Sequence, residues 1–141
     1  MTDAVDRYLA ASRAQDMDAL LTTLAAEAEV LSPISGRMVF RGRADLRTLL
    51  GAVYGSIRGL RWGEQIGGGS IRTVIGEGSV GPFPFGDAMV FELDSDGAIV
   101  RIRPHLRPWL GLSALAVALL PRLLPHPGVL IRALRAGSSR R

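Results

Sequence analysis

From Phe83 to Leu93 the chain alternates. Phe83, Phe85, Met89, Phe91 and Leu93 are large and apolar, and Asp87 interrupts their series. Residues two apart in a strand share a face, so the run predicts a strand whose apolar face carries one carboxylate. Upstream, the period is helical. Val5, Tyr8 and Leu9 mark a first helix; Met17, Leu20, Leu21 and Leu24 mark a second, with Asp16 as its N-cap. Glu27 to Leu31 and Met38 to Phe40 read as short strands around Ser32-Pro33 and Ser35-Gly36. Leu46, Leu49, Leu50, Val53, Tyr54 and Ile57 then predict a third helix after Gly42. Beyond Gly59 the period falls to two, which places Leu60, Trp62, Glu64 and Ile66 on one strand face. A further strand runs from Ile71 to Ile75, and Gly76 to Pro82 reads as a glycine-rich connection. Asp94-Ser95-Asp96-Gly97 is a hairpin turn, and Ala98 to His105 is the returning strand. Trp109 to Leu124 is apolar almost all round, Val129 to Leu134 is a short amphipathic helix, and Gly137 to Arg141 is a solvated tail.

Helices ahead of a mostly antiparallel meander predict an α+β fold. The expected shape is a cone: a curved antiparallel or mixed sheet wrapped around three N-terminal helices, with a C-terminal helical extension. The division expected is a cone-shaped small-molecule domain over residues 1–107 and an apolar, basic extension over 108–141. A cone of this kind leaves a concave apolar cavity, the usual form of a small-molecule site.

Composition narrows the chemistry. The chain has 141 residues, 48% of them hydrophobic and 21% charged, which suits one globular core. Its charge is polarised: residues 1–100 carry nine Arg and all thirteen acids, and residues 101–141 carry eight Arg and no acid. All seventeen basic residues are Arg, the bias of a high-GC bacterial genome, so neither a Schiff-base nor a P-loop lysine exists. With no Cys, disulfides, thiol nucleophiles and thiolate zinc sites are excluded, and a cytoplasmic location is expected. The start, Met-Thr-Asp-Ala-Val-Asp-Arg, lacks a leader pattern, and Trp109 to Leu120 is shorter than the roughly twenty residues of a membrane span.

Several strings resemble the nuclear transport factor 2-like superfamily, which includes SnoaL-like polyketide cyclases and ketosteroid isomerases. Val5-Asp6-Arg7-Tyr8-Leu9-Ala10-Ala11 and Asp16-Met17-Asp18-Ala19-Leu20-Leu21 are similar to its opening helix pair. Leu31-Ser32-Pro33-Ile34-Ser35-Gly36 is similar to its first strand end, and Phe40-Arg41-Gly42-Arg43-Ala44 to the start of its third helix. Ile99-Val100-Arg101-Ile102 through Arg107-Pro108-Trp109 resembles its last strand in many uncharacterised bacterial members. The resemblance spans roughly residues 3–109 and implies a cystatin-like α+β roll, an apolar ligand cavity and frequent homodimers. Tyr8 matches the isomerases' oxyanion-hole tyrosine. Ser32 stands where they have a general-base aspartate, and Met89 stands at or near their second oxyanion acid. A steroid isomerase of that mechanism is therefore not expected.

Asp87, Tyr8 and Glu64 are the candidate catalytic residues. A carboxylate on an apolar face needs a partner or a raised pKa, and two such groups can divide acid and base roles. The plainer alternatives are that Asp87 caps a turn after Gly86, Glu64 pairs with an Arg at the rim, and Tyr8 is a core tyrosine. Ser32, Tyr54, Trp62, Met89, Phe91 and Trp109 are the expected ligand-binding wall. Arg101, Arg103 and His105 share a face of the last strand that is expected to point outward, because Val100, Ile102, Pro104 and Leu106 opposite need burial. No metal site is expected from His105 and His126, and no cofactor. Gly67-Gly68-Gly69 lacks the Lys-Ser or Lys-Thr and the helix of a phosphate loop, and the basic end lacks the aromatics of a nucleic-acid site. Function narrows to binding an apolar polycyclic or lipid-like molecule, with isomerisation, cyclisation, dehydration or epoxide opening by proton transfer. The alternatives are a non-catalytic binding or dimerisation module, and a peripheral membrane protein acting through residues 109–136.

Overall fold

A computed structural model of the chain describes residues 3–138. Helix α1 (Ala4–Ala14) starts at Asp3, whose side chain accepts from the Asp6 N–H, and ends at Gln15 in the left-handed region. Helix α2 (Met17–Leu21) is capped by Asp16 through the Ala19 N–H. It stops one turn short of the sequence expectation, so Leu24 opens strand β1 (Leu24–Leu31) instead. After β2 (Val39–Arg41), Gly42 at φ +88° turns the chain into α3 (Arg43–Ser56). Of the expected α3 stripe, Leu46, Leu49, Leu50 and Tyr54 are buried.

The meander follows: β3 (Arg58–Gly68), β4 (Ile71–Val80), β5 (Phe83–Leu93) and β6 (Ile99–Arg103), with β7 (Leu106–Arg107) as a short return. The curved sheet has order β2-β1-β6-β5-β4-β3, and β7 pairs with β5. All neighbours are antiparallel except β1 and β6. The fold is thus the expected α+β roll, with a mixed sheet around the three N-terminal helices.

One expectation fails for a clear physical reason. Gly76 to Val80 is not a connection but the second half of β4, fully paired with Phe83 to Gly86 and Asp87 of β5. A Cβ on Gly76 would lie 2.5 Å from the Trp62 ring, and one on Gly78 would lie 2.9 Å from Ile57 and 3.2 Å from Phe85. Glycine in a strand often marks such a close approach. Here it admits large side chains to the concave face.

The C-terminal extension shares the core. Helix α4 (Trp109–Leu123) packs on α3, β5 and β7, and α5 (Pro127–Ser138) packs on β2. Leu115, Leu119, Leu123, Val129 and Ala133 are buried in the same cluster as Tyr8, Leu46 and Phe91. Gly111 allows α4 to meet β5, since a Cβ there would be 2.6 Å from the Pro84 carbonyl oxygen. Arg132 donates from two guanidinium nitrogens to the buried Asp45 at 2.8 and 2.9 Å, tying α5 to α3. The helix expected over Val129 to Leu134 is longer at both ends. Gly137, expected in a solvated tail, is buried against Arg37 and Met38. The rest of that tail, residues 139–141, lies outside the described residues.

Candidate functional site

The alternation that predicts β5 also describes its burial. Phe85, Asp87, Met89 and Phe91 are buried, and the residues between them are partly exposed. Asp87 is only 8% exposed. Its surroundings follow from Pro104. That residue has no N–H and interrupts the pairing with β5 between β6 and β7, which leaves the His105 N–H without a strand partner. Asp87 Oδ1 accepts that N–H at 3.1 Å. The alternative of a turn cap after Gly86 fails, because Asp87 lies within paired strand, opposite Gly76 and Leu106. Burial raises its pKa from 3.8 to about 6, opposed only in part by the His105 hydrogen bond and the His105 charge.

Asp87 lines a cavity of about 230 Å³ enclosed by the sheet, α3 and α4. Tyr8, Tyr54, Trp62, Met89 and Ser32 line it too, and nearly all of the remaining wall is aliphatic. Tyr8 and Tyr54 come from the inner faces of α1 and α3, and their hydroxyls are 2.7 Å apart. Either can donate to the other, so one hydroxyl proton of the pair stays available. Burial holds both phenols well above their ordinary pKa, and the negative charge of Asp87 adds to the rise in each. Both tyrosines are therefore neutral hydrogen-bond donors within the electrostatic reach of Asp87.

The remaining wall residues are held by local partners. Trp62 donates its indole N–H to Ser12 Oγ at 3.0 Å, leaving the ring face for the cavity. Ser32 Oγ accepts from the Ile34 and Ser35 N–H groups at 3.2 and 3.1 Å, which folds residues 32–35 into a turn at the cavity edge. Phe91 stands behind the wall, edge-on to Tyr8 with ring centroids 5.1 Å apart, and does not line the cavity.

Glu64 and Trp109 do not reach the site. The β3–β4 register shifts between Trp62 and Gln65, so Gln65 rather than Glu64 returns to the inner side, where it donates to Asp6. Glu64 is exposed at this bulge, and among the described residues Asp87 is the only carboxylate on the cavity wall. Trp109 begins α4 and is 75% exposed. A second bulge near Val100 buries Ile99 and Ile102 together. The opposite face of β6 points outward, where Arg101 and Arg103 pair with Glu92, and Arg101 also with Glu29. His105 is exposed, its ring near the Ala88 carbonyl oxygen. Sequence reasoning missed Leu115, Leu119 and Leu123 of α4 as wall residues. It also missed the Tyr8–Tyr54 pair, for which the signal was available: two tyrosines on core stripes of helices that must pack together each need a hydroxyl partner.

No family model and no curated protein matches the chain. Solved structures do. An uncharacterised protein with a cystatin-like fold from Silicibacter pomeroyi DSS-3 superposes with a TM-score of 0.86 at 19% identity, covering 94% of this chain and 95% of that one. A steroid delta-isomerase from Pseudomonas aeruginosa gives a TM-score of 0.80 at 20% identity over 89% and 92% of the two chains. An M. tuberculosis LEH-like epoxide hydrolase gives 0.59 at 23% identity over 86% and 93%. The chain has the cystatin-like, nuclear transport factor 2-like fold.

Proposed function

We infer that this protein binds an apolar molecule carrying one polar oxygen and moves a proton on it without a cofactor. The observation behind this reading is the set of polar groups in an otherwise aliphatic chamber: one carboxyl with a pKa near 6 beside a neutral tyrosine pair. A base is most effective when its pKa lies near the working pH. In the ionised form, Asp87 takes a proton from a carbon next to a carbonyl. The electron pair moves onto the carbonyl oxygen, where a Tyr8 or Tyr54 hydroxyl donates to the developing oxyanion. The protonated Asp87 then returns the proton to a different carbon. A single carboxyl suffices for such a shift. Epoxide hydrolysis needs an activated water as well as an acid, and only Asp87 among the acids lines the wall, so isomerisation is favoured over epoxide opening. Isomerisation also fits the activity named for the Pseudomonas aeruginosa neighbour.

The expected homodimer belongs to the same proposal. Ile66, Ile71 and Ile75 are exposed on the outer face of β3 and β4 and form the surface it would bury.

The test uses cyclic ketones and enones in heavy water, with exchange at carbon followed by proton NMR. The native protein should speed exchange, with a rate that rises through a pKa near 6. Asp87→Asn should lose roughly a hundredfold or more while still binding the probes. Binding without acceleration in the native protein would refute the catalytic role and leave a binding module.

A further inference from the structure

Helix α4 buries one side and leaves the other exposed. Gly111, Leu115, Leu119 and Leu123 face the core. Trp109, Leu110, Val117, Leu120 and Leu124 fall within about a third of a turn of one another on the opposite side. All five are exposed, Val117 at 67% and Leu124 at 63%. No charged residue shares this face. On α5, Ile131 and Leu134 are exposed beside Arg135.

Two observations identify the occupant. The first is charge: the sequence has no acidic residue after Asp96 and eight Arg after Val100. Among the described residues, Arg107 is exposed just ahead of α4 and Arg135 on α5 beside Ile131 and Leu134, whereas Arg122 turns its guanidinium over α3 beside Gly55, on the buried side of α4. A two-fold contact between copies sets a patch against itself, so this basic surround would meet its own like charge. An anionic surface would neutralise it. The second is continuity with the cavity. Leu120 and Ile34 are exposed and also line the cavity, so its mouth opens between the 32–35 turn and α4, at the edge of the apolar face.

We propose that the protein docks on an anionic lipid surface through the exposed face of α4 and the neighbouring part of α5, with the cavity mouth held at the level of the lipid chains. No described helix is long and apolar enough to cross a membrane, so the geometry is that of a helix lying in the interface. Trp109 is the aromatic anchor expected at that depth. The cavity then receives a membrane-partitioned molecule without exposing it to water. The docking surface stands whether or not Asp87 moves protons.

The experiment is co-sedimentation of the full chain with vesicles of phosphatidylcholine alone and of phosphatidylcholine mixed with phosphatidylglycerol. Binding should require the anionic lipid and weaken at high salt. Combined Val117→Glu and Leu124→Glu, neither in the cavity wall, should lower partition by roughly tenfold or more. Trp109→Ser is the second variant should the double exchange disturb folding. In a Trp62→Phe background, Trp109 emission should shift to the blue on vesicle binding. Absence of partition, or equal partition of native and substituted chains, overturns the proposal. So does a concentration-dependent dimer that the same substitutions dissociate without any vesicle binding, which would give the face to a second copy. Asp87→Asn should partition like the native chain even if it abolishes turnover.

Discussion

Replacing Asp87 by Asn keeps the shape of the side chain and an oxygen able to accept the His105 N–H, and it removes the titration. Burial carries the Asp87 pKa from 3.8 to about 6. Between those two pH values the folded protein holds a proton that the unfolded chain has already released. The unfolded state then binds fewer protons, so stability falls as pH rises through this window and is level above it. At about 1.4 kcal/mol per pKa unit the full effect is about 3 kcal/mol. Asp87→Asn should therefore match the native protein near pH 4 and exceed its stability by up to about 3 kcal/mol near pH 8. Using the difference between the two proteins at each pH cancels the other carboxylates, including Asp3, whose depressed pKa works in the opposite direction at lower pH. The assay is urea unfolding across that range, with equal slopes checking that the unfolded states are comparable. A stability difference that does not vary with pH would refute the reasoning, as would a native protein more stable than the variant at alkaline pH. The first result would mean that burial leaves the carboxyl's pKa unshifted, the second that the carboxylate is stabilised in its charged form.

The Tyr8–Tyr54 hydrogen bond should appear as coupling of roughly 1 kcal/mol in a double-mutant cycle of the two Tyr→Phe exchanges, read by thermal unfolding; additive losses would contradict the contact. Gly76→Ala must push Trp62 from its place over the strand, costing about 1–3 kcal/mol and changing Trp62 emission; an unchanged emission spectrum would contradict the packing. Leu115→Ala should cost roughly 2–5 kcal/mol, and a chain ending at Arg107 should lose cooperative unfolding, since α4 and α5 share the main core. A cooperative melt of that shortened chain would make the extension a separate unit.

What was legible in the sequence depended on uninterrupted period. Phe83 to Leu93 is β5 with the same ends as the alternating run, and its inward set includes the one carboxylate that the pattern singled out. The third helix is equally clear, because Leu46 to Tyr54 keeps one stripe for more than two turns. Bulges defeat the same reasoning. A single extra residue moves every later side chain to the other face, and in Trp62-Gly63-Glu64-Gln65 only Gly63 hints at the shift that takes Glu64 off the inner side. Gly76 and Gly78 were ambiguous for another reason. Glycine marks a loop and a crowded strand alike, and only the positions of the Trp62 and Phe85 rings decide between them. An all-apolar helix such as α4 has no moment strong enough to choose its buried side, so its contribution to the cavity wall was hidden.

The stability argument also bears on why residue 87 is a carboxylate at all. Structurally the residue closes one hydrogen bond, to the His105 N–H exposed by Pro104. An asparagine would close the same bond. It would do so without a loss of about 3 kcal/mol at neutral and higher pH, a sizeable share of the roughly 5–15 kcal/mol that holds a domain together. No Arg touches Asp87, and its second oxygen has no hydrogen-bond partner among the described residues. Packing alone therefore gives no reason to prefer aspartate. The proton exchange proposed above would supply one, because a carboxyl group, unlike an amide, can accept a proton, hold it at near-neutral pH and give it back.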